Sequence, residues 1–433
     1  MKRDKLDDLI KWKNSSNRKP LLIRGARQVG KTWLMREFGR RFYEQYVYVN
    51  FEKDKHLKLL FKEDFDPDRI IQGLQIESGL NINSDNTLLI LDEIQESPEA
   101  LNSLKYFQED APDYNIVAAG SLLGVAMHSG SSFPVGKIAF MDLYPLSFPE
   151  FLKAMKEDNI VNLLQSGDWG LIAAFKSRLM NRLRQYYYVG GMPEAVAIFA
   201  ENRDLKAVRN IQKQILSAYE QDFSKHTPAS LVPRIRMAWN SLPAQLTKEN
   251  KKFVYGLIKD GARAREYELA LTWLIDCGLA YKIHRVSKPN IPLKAYEDPG
   301  AFKLFIVDVG LLAALTDLDN KTLIKGNEIF TEFKGALTEQ FVLQQLVSAD
   351  KYKINYWSAK LGTAEVDFVL QYNDSVIPLE VKAEENLHSK SLKVYHEKFN
   401  PSIAIRTSMS DYRKIDRLCN FPLYAINFLK QEI

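Results

Sequence analysis

The chain of 433 residues exceeds what one hydrophobic core usually organises, so two or three domains are expected. Hydrophobic residues at 46% and charged residues at 26%, without low-complexity tracts or a fixed repeat, exclude a disordered or fibrous chain. Fifty-nine basic against 54 acidic residues leave +5, too mild to demand a nucleic-acid partner, although residues 201–300 carry 17 basic against 11 acidic residues and 331–433 carry 13 of each.

The opening "MKRDKLDDLIKWKN" is charged throughout and has no signal-peptide core. No apolar run reaches about 18 residues, and even "KLFIVDVGLLAAL" is split by Asp308. Cys277 and Cys419 are far apart and form no CxxC, which argues against a disulfide framework or thiolate zinc site and fits a reducing compartment. A cytoplasmic protein without membrane contact is expected.

Leu21 to Ile23 read as a short buried strand and Trp33 onward as a helix. Between them Gly25, Ala26, Arg27, Gln28, Val29, Gly30, Lys31 and Thr32 spell a GxxxxGKT phosphate loop. Its glycines let successive N–H groups turn inward on a phosphate; Lys31 would reach the β/γ oxygens of ATP and the Thr32 hydroxyl would ligate Mg²⁺. "YVYVNFE" supplies another strand. "NTLLILDEIQE" follows, whose apolar run Leu88 to Leu91 reads as a central parallel strand ending in Asp92-Glu93. Paired acids at a strand end can be merely solvated. After a phosphate loop, Asp92 is expected in the magnesium shell and Glu93 as the group that orients the attacking water.

Ser97 as N-cap and Pro98 at the first helical position open the next helix. "YNIVAAGS" ends at Ser121, which reads either as a turn residue or as a polar sensor of the γ-phosphate. "KIAFMDLYP" completes a doubly wound parallel α/β sheet with nucleotide at the carboxyl ends of its strands.

"GARQVGKT", "LDEIQ", "GS", "SFPVGKIAFMDLYPLSFPEFL", "YVGGMPEAV" and "KENKKFVYG", in this order, resemble one large prokaryotic family: AAA-type P-loop ATPases fused to an uncharacterised C-terminal domain related to PD-(D/E)xK nucleases. The likeness covers nearly the whole chain. Lys137 stands in "PVGK" where many relatives carry arginine, so no arginine finger is assigned.

From about 151 to 225 the sequence is helical, broken at Gly190-Gly191 and Pro193, and reads as a lid over the nucleotide. Residues 226–330 give short helices, a longer helix from Ala264 to Cys277, a stop at Gly278 and a β-like "LAYKIHRV", which suggests a winged helix, as the resemblance also implies. Lys251, Lys252, Lys259, Arg263 and Arg265 are the candidate DNA-phosphate contacts. The competing reading makes this module a packing or oligomerisation element.

The last hundred residues read as helix, three strands, helix and strand, the αβββαβ core of the PD-(D/E)xK fold. In "VIPLEVKAEE" alternation puts Glu380 and Lys382 on one strand face, with Asp367 in the strand before and Glu339 in the leading helix. Asp367, Glu380 and Glu339 are candidate ligands for one or two Mg²⁺ ions, and Lys382 would stabilise developing charge or position a water. Glu365 shares the Asp367 face and reads either as an extra metal ligand or, the favoured reading, as a solvent-facing acid; His388 and His396 lack metal-ligand spacing.

The expected organisation is an ATPase core over 1–150, a helical lid over 151–225, a winged-helix-like domain over 226–330 and a nuclease-like domain over 331–433. ATP and Mg²⁺ are the expected cofactors; DNA and further copies of the chain are the candidate partners. The leading reading is an ATPase coupled to a domain that binds or cleaves DNA. Its rival is a nucleotide-dependent switch or scaffold whose nuclease-like domain recognises without cutting.

Overall fold

A computed structural model describes residues 2–121, 136–248, 251–319, 331–359, 364–385 and 390–432. They form two compact units, one spanning Arg3–Tyr144 with Asp276–Gly278, the other Pro145–Ile275 and Leu279–Ile433 with the first two residues.

In the first unit β1 (Leu21–Arg24), β2 (Gln45–Asn50), β3 (Thr87–Asp92), β4 (Asn115–Ala119) and β5 (Ala139–Asp142) make a parallel sheet in the order β2-β3-β4-β1-β5. Every residue of β3 and β4 is buried, as parallel strands covered on both faces require. Val49, Phe61, Leu91, Leu104 and Phe107 share one core, each fully buried side chain contributing roughly 1.5–3 kcal/mol. Because β4 lies between β1 and β3, the segments that leave the carboxyl ends of these three strands are neighbours. The helix Pro98–Asp110 begins as its sequence dictates, with Ser97 Oγ accepting from Ala100 N at 3.4 Å and proline at the first position.

The second unit opens with six helices between Phe148 and Lys225, and the chain breaks where Gly190-Gly191 and Pro193 stand. This break holds a buried carboxylate. Gly190 adopts φ 71°, and a Cβ there would lie 2.1 Å from Asp308 Oδ1. Asp308 accepts from Gly191 N at 2.6 Å, Gln344 Nε2 at 2.9 Å and Leu311 N at 3.0 Å, the partners that a buried acid requires. Burial still raises its pKa, with these donors opposing.

In the helix Thr331–Ala349, residues 337 to 346 are all buried although four of them are Glu or Gln. The amides pair with backbone: Gln340 donates to Ile306 O at 2.6 Å and accepts from Ile306 N at 3.1 Å, while Gln344 accepts from Val309 N and Gln345 from Phe148 N.

The same unit contains an eight-stranded sheet. Its strands are β6 (Ala280–Val286), β7 (Glu297–Ile306), β8 (Lys353–Ser358), β9 (Glu365–Tyr372), β10 (Ser375–Val381), β11 (Ala404–Ser408), β12 (Arg413–Ile415) and β13 (Leu418–Pro422), in the order β12-β13-β11-β10-β9-β8-β6-β7. The strands β8, β9 and β10 run antiparallel, and Asn373 takes φ 49° in the two-residue turn between paired Tyr372 and Ser375. Helix Lys390–Phe399 then crosses to β11, which lies parallel to β10. "LAYKIHRV", read as the wing of a winged helix, pairs antiparallel with β7 and touches β8 through Arg285 and Tyr356, so this hairpin extends the C-terminal sheet.

Candidate active sites

The phosphate loop follows β1 and turns on three left-handed residues, Gly25 (φ 146°), Gln28 (φ 67°) and Gly30 (φ 95°). A Cβ on Gly25 would lie 2.2 Å from Leu143 O, so glycine is obligatory there. Gly30 caps helix Lys31–Phe42 without a side-chain acceptor, which leaves the first N–H groups available to an anion. Lys31 Nζ folds back onto Gly25 O and Ala26 O, both at 2.9 Å. Burial pushes its pKa down to about 8, with Glu93 and Asp92 opposing.

Thr32 Oγ1 donates to Asp92 Oδ2 at 2.7 Å, and Tyr48 OH donates to the same oxygen at 2.8 Å. Burial raises the Asp92 pKa even though both hydroxyls favour the carboxylate. Glu93, at φ 51°, accepts on Oε2 from Gln95 Nε2 at 2.7 Å and from Ser121 Oγ at 3.2 Å. The structure therefore gathers Lys31, Thr32, Asp92, Glu93 and Ser121 at the carboxyl edge of the sheet. The Thr32 hydroxyl beside the buried Asp92 carboxylate, whose ionisation is penalised, makes a pair of hard oxygen ligands that fits a magnesium ion. Arg3, Tyr48 and Gln95 were not singled out in the sequence. Arg3 donates to Val29 O at 2.9 Å and Tyr144 O at 2.6 Å, staking the loop; the signal for Tyr48 is its place on β2, beside β3, two residues before the pair Asn50 and Asp92. Lys137 pairs with Glu109 at 2.9 Å.

The second site lies where helix Thr331–Ala349 meets β7, β9 and β10. Glu339, Glu365 and Asp367 come together as acids, and two lysines enter among them. Lys303 from β7, 0% exposed, sits 2.6 Å from Glu365 Oε1 and 3.8 Å from Glu339 Oε2. Lys251 pairs with Glu339 Oε1. Glu365 is thus not a solvent-facing acid, because β7 brings a buried ammonium to it. Lys251 is likewise not a surface phosphate contact, whereas Lys252, Lys259, Arg263 and Arg265 are exposed.

Asp367 Oδ2 accepts from Val381 N at 2.8 Å. Burial, reinforced by the Glu339 charge, pushes its pKa up to about 7. Burial would also raise Glu339, but Lys251 and Lys303 pull it below the usual carboxylate range. The Lys303 pKa is raised, the three acids outweighing its burial. Glu380, buried in β10, pairs with Lys382 Nζ at 2.8 Å and lies across the strand pairing from Arg406. Glu380 and Lys382 therefore meet, as alternation implies.

Among the described residues no group of three or more His, Cys, Asp or Glu side chains forms a ready-made metal site. Two observations nevertheless fit a single cation: Glu339 Oε2 is buried without a hydrogen-bond partner, and Asp367 is destabilised as a carboxylate. His388 lies outside the described residues. The sequence signal for Lys303 was a lone lysine inside the apolar run "AFKLFIV".

Residues 17–152 match the model of the AAA domain, and two domains of unknown function match beyond it, DUF8612 over 180–322 and DUF4143 over 334–426. No curated protein matches. Among solved structures, the chain is similar to the Walker-type ATPase PABY2304 of Pyrococcus abyssi at 16% identity, covering 72% of this chain and 95% of that one with a TM-score of 0.45. The Aeropyrum pernix Orc1 protein in complex with DNA gives 14% identity, 72% and 90% coverage and a TM-score of 0.26. Cdc6p from Pyrobaculum aerophilum gives 11%, 74% and 94%, and 0.25. The AAA match over 17–152, with its phosphate loop on a parallel sheet, makes the N-terminal part an AAA-type, P-loop ATPase-like domain. Among the described residues no helix is long and apolar enough to cross a membrane.

Proposed function

We propose that this protein binds ATP with Mg²⁺ and hydrolyses it, and that nucleotide state is coupled to a C-terminal PD-(D/E)xK-like domain acting on DNA. The observation that carries the first half is the contact of Thr32 Oγ1 with Asp92 Oδ2 at 2.7 Å beside a Glu93 carboxylate held by Ser121 and Gln95. In this reading the loop amides and Lys31 hold the β- and γ-phosphates, Thr32 and Asp92 hold the metal, Glu93 orients the attacking water and Ser121 senses the γ-phosphate through Glu93. Mg²⁺ supplies charge neutralisation on the phosphates when bound.

For the C-terminal half, the strand and helix order from residue 331, the approach of Glu339 to Asp367 and the Glu380–Lys382 pair on the neighbouring strand support a nuclease-like site, with Glu339, Asp367 and Glu380 as the residues that would hold a divalent ion. The exposed Lys252, Lys259, Arg263 and Arg265 are the candidate phosphate contacts. A second reading, in which this domain binds without cutting and the protein is a nucleotide-controlled switch, draws support from the lysines seated on Glu339 and Glu380. The deciding experiment is metal-dependent cleavage of plasmid and linear DNA by the protein and by Asp367→Ala. Cleavage lost only in the variant favours the nuclease, and equal behaviour removes it.

A further inference from the structure

We infer that Lys251 is an internal cation that closes Glu339 to divalent metal, so that an ion enters the C-terminal site only when this side chain leaves. The inference deepens the metal-binding reading of that site and rests on it. Lys251 Nζ is seated on Glu339 Oε1, with the two side chains 11% and 7% exposed. The other oxygen, Glu339 Oε2, is buried without a hydrogen-bond partner, and Lys303 Nζ stands 3.8 Å away. A hard divalent ion and an ammonium both seek these oxygens, and a divalent ion arriving at Oε2 of this buried carboxylate meets strong repulsion from the ammonium already seated on Oε1. A tethered ammonium competes at a high effective concentration, which no dilution of the protein removes.

The lysines near the acids differ in their freedom. Lys303 lies within β7 and is wholly enclosed. Lys382 follows β10, its N–H held by Thr407 O at 2.8 Å, and its ammonium pairs with Glu380. Lys251 instead sits outside any helix or strand, at φ 45°. Its neighbour Lys252 is exposed. Of the two lysines that approach Glu339, only Lys251 can therefore withdraw without breaking a strand, which makes it the one that can exchange with an incoming ion at that carboxylate.

The test is Mn²⁺ binding to the full chain without nucleotide, followed by calorimetry and by the electron paramagnetic resonance signal of free Mn²⁺. The wild-type protein, Lys251→Met, Lys251→Arg and Lys251→Met/Asp367→Ala are compared. The expected result is Mn²⁺ binding at least about tenfold tighter in Lys251→Met than in the wild type, as loss of a tethered competitor implies. That binding should disappear when Asp367 is also replaced, and Lys251→Arg should restore wild-type weakness. If Lys251→Met melts without cooperativity, Lys251→Gln takes its place. Equal or weaker Mn²⁺ binding in the neutral variant, with binding still dependent on Asp367, overturns the role of Lys251 and leaves the metal site standing. Absence of any Asp367-dependent binding overturns both.

Discussion

The two acids of the nucleotide site are held by neutral groups: Asp92 by the hydroxyls of Thr32 and Tyr48, Glu93 by Ser121 and Gln95, while Lys31 turns onto carbonyls of its own loop. In the C-terminal unit Glu339, Glu365 and Glu380 are each held by an ammonium, from Lys251, Lys303 and Lys382. A carboxylate satisfied by neutral donors keeps its net charge and can still take a cation from solution. One satisfied by lysine has its countercharge built in, and ligand must exchange with protein. The first arrangement suits a site that fills and empties with nucleotide; the second is stable without ligand and costs more to open.

The sharpest way to break this comparison is to remove the enclosed ammonium. Lys303→Met leaves Glu365 and Glu339 buried beside Asp367 with less countercharge, and should destabilise the fold by about 3–5 kcal/mol. Urea unfolding of the single variant and of Lys303→Met/Glu365→Gln measures it: the double variant should recover part of the loss, and additive losses would mean the pair is not a unit.

Next in size are the nucleotide groups. Lys31→Ala should lower ATP affinity by about 100-fold or more, since it removes the one ammonium within the phosphate cradle. Glu93→Gln keeps the contact shape but loses the charge that orients water; turnover should fall about 100-fold with ATP still bound. Steady-state hydrolysis beside a fluorescent-nucleotide titration separates the two, and unchanged turnover in Glu93→Gln would remove Glu93 from its role.

Tyr48→Phe sharpens the comparison from the neutral side. It deletes one hydroxyl donor to Asp92 while Thr32 remains, so the cost to stability should be about 1 kcal/mol. A loss as large as that of Lys303→Met would show that the two sites hold their acids by equally strong means. Thermal melting of both variants in one buffer decides it.

Much of the nucleotide site was legible because its residues are contiguous: Gly25 to Thr32 need particular backbone angles, and Asp92-Glu93 ends an apolar run, so sequence spacing carries the geometry. Tyr48 and Arg3 carry no such local signal, because each acts from another element and register between neighbouring strands is not written in a single segment. In the C-terminal unit the alternation of Glu380 and Lys382 and the turn at Asn373 were readable as local geometry. The partners of Glu365 and Glu339 were not. Lys303 and Lys251 reach them from 62 and 88 positions earlier in the chain, and a lone lysine in an apolar strand announces burial without saying with whom. The Gly190-Gly191 break was visible, but its reason, the carboxylate of Asp308, lies over a hundred residues on.

The smallest expected effect concerns protons. Burial lowers the Lys31 pKa to about 8, below its ordinary 10.5, so between these values the unfolded chain binds more protons and this group favours folding increasingly as pH rises. For ATP the sign is reversed. A bound triphosphate holds Lys31 as the ammonium, so nucleotide binding above about pH 8 must take up a proton, and affinity falls as pH rises. From pH 7 to 8.5 the loss should be about fourfold, tending to tenfold per unit beyond. Below pH 7 this lysine should contribute no dependence. Calorimetric titrations of ATP in two buffers of different ionisation heat read the uptake directly. It should be near zero at pH 7 and approach one proton at pH 9, and a flat result at both would mean that the ammonium of Lys31 is not what meets the phosphates.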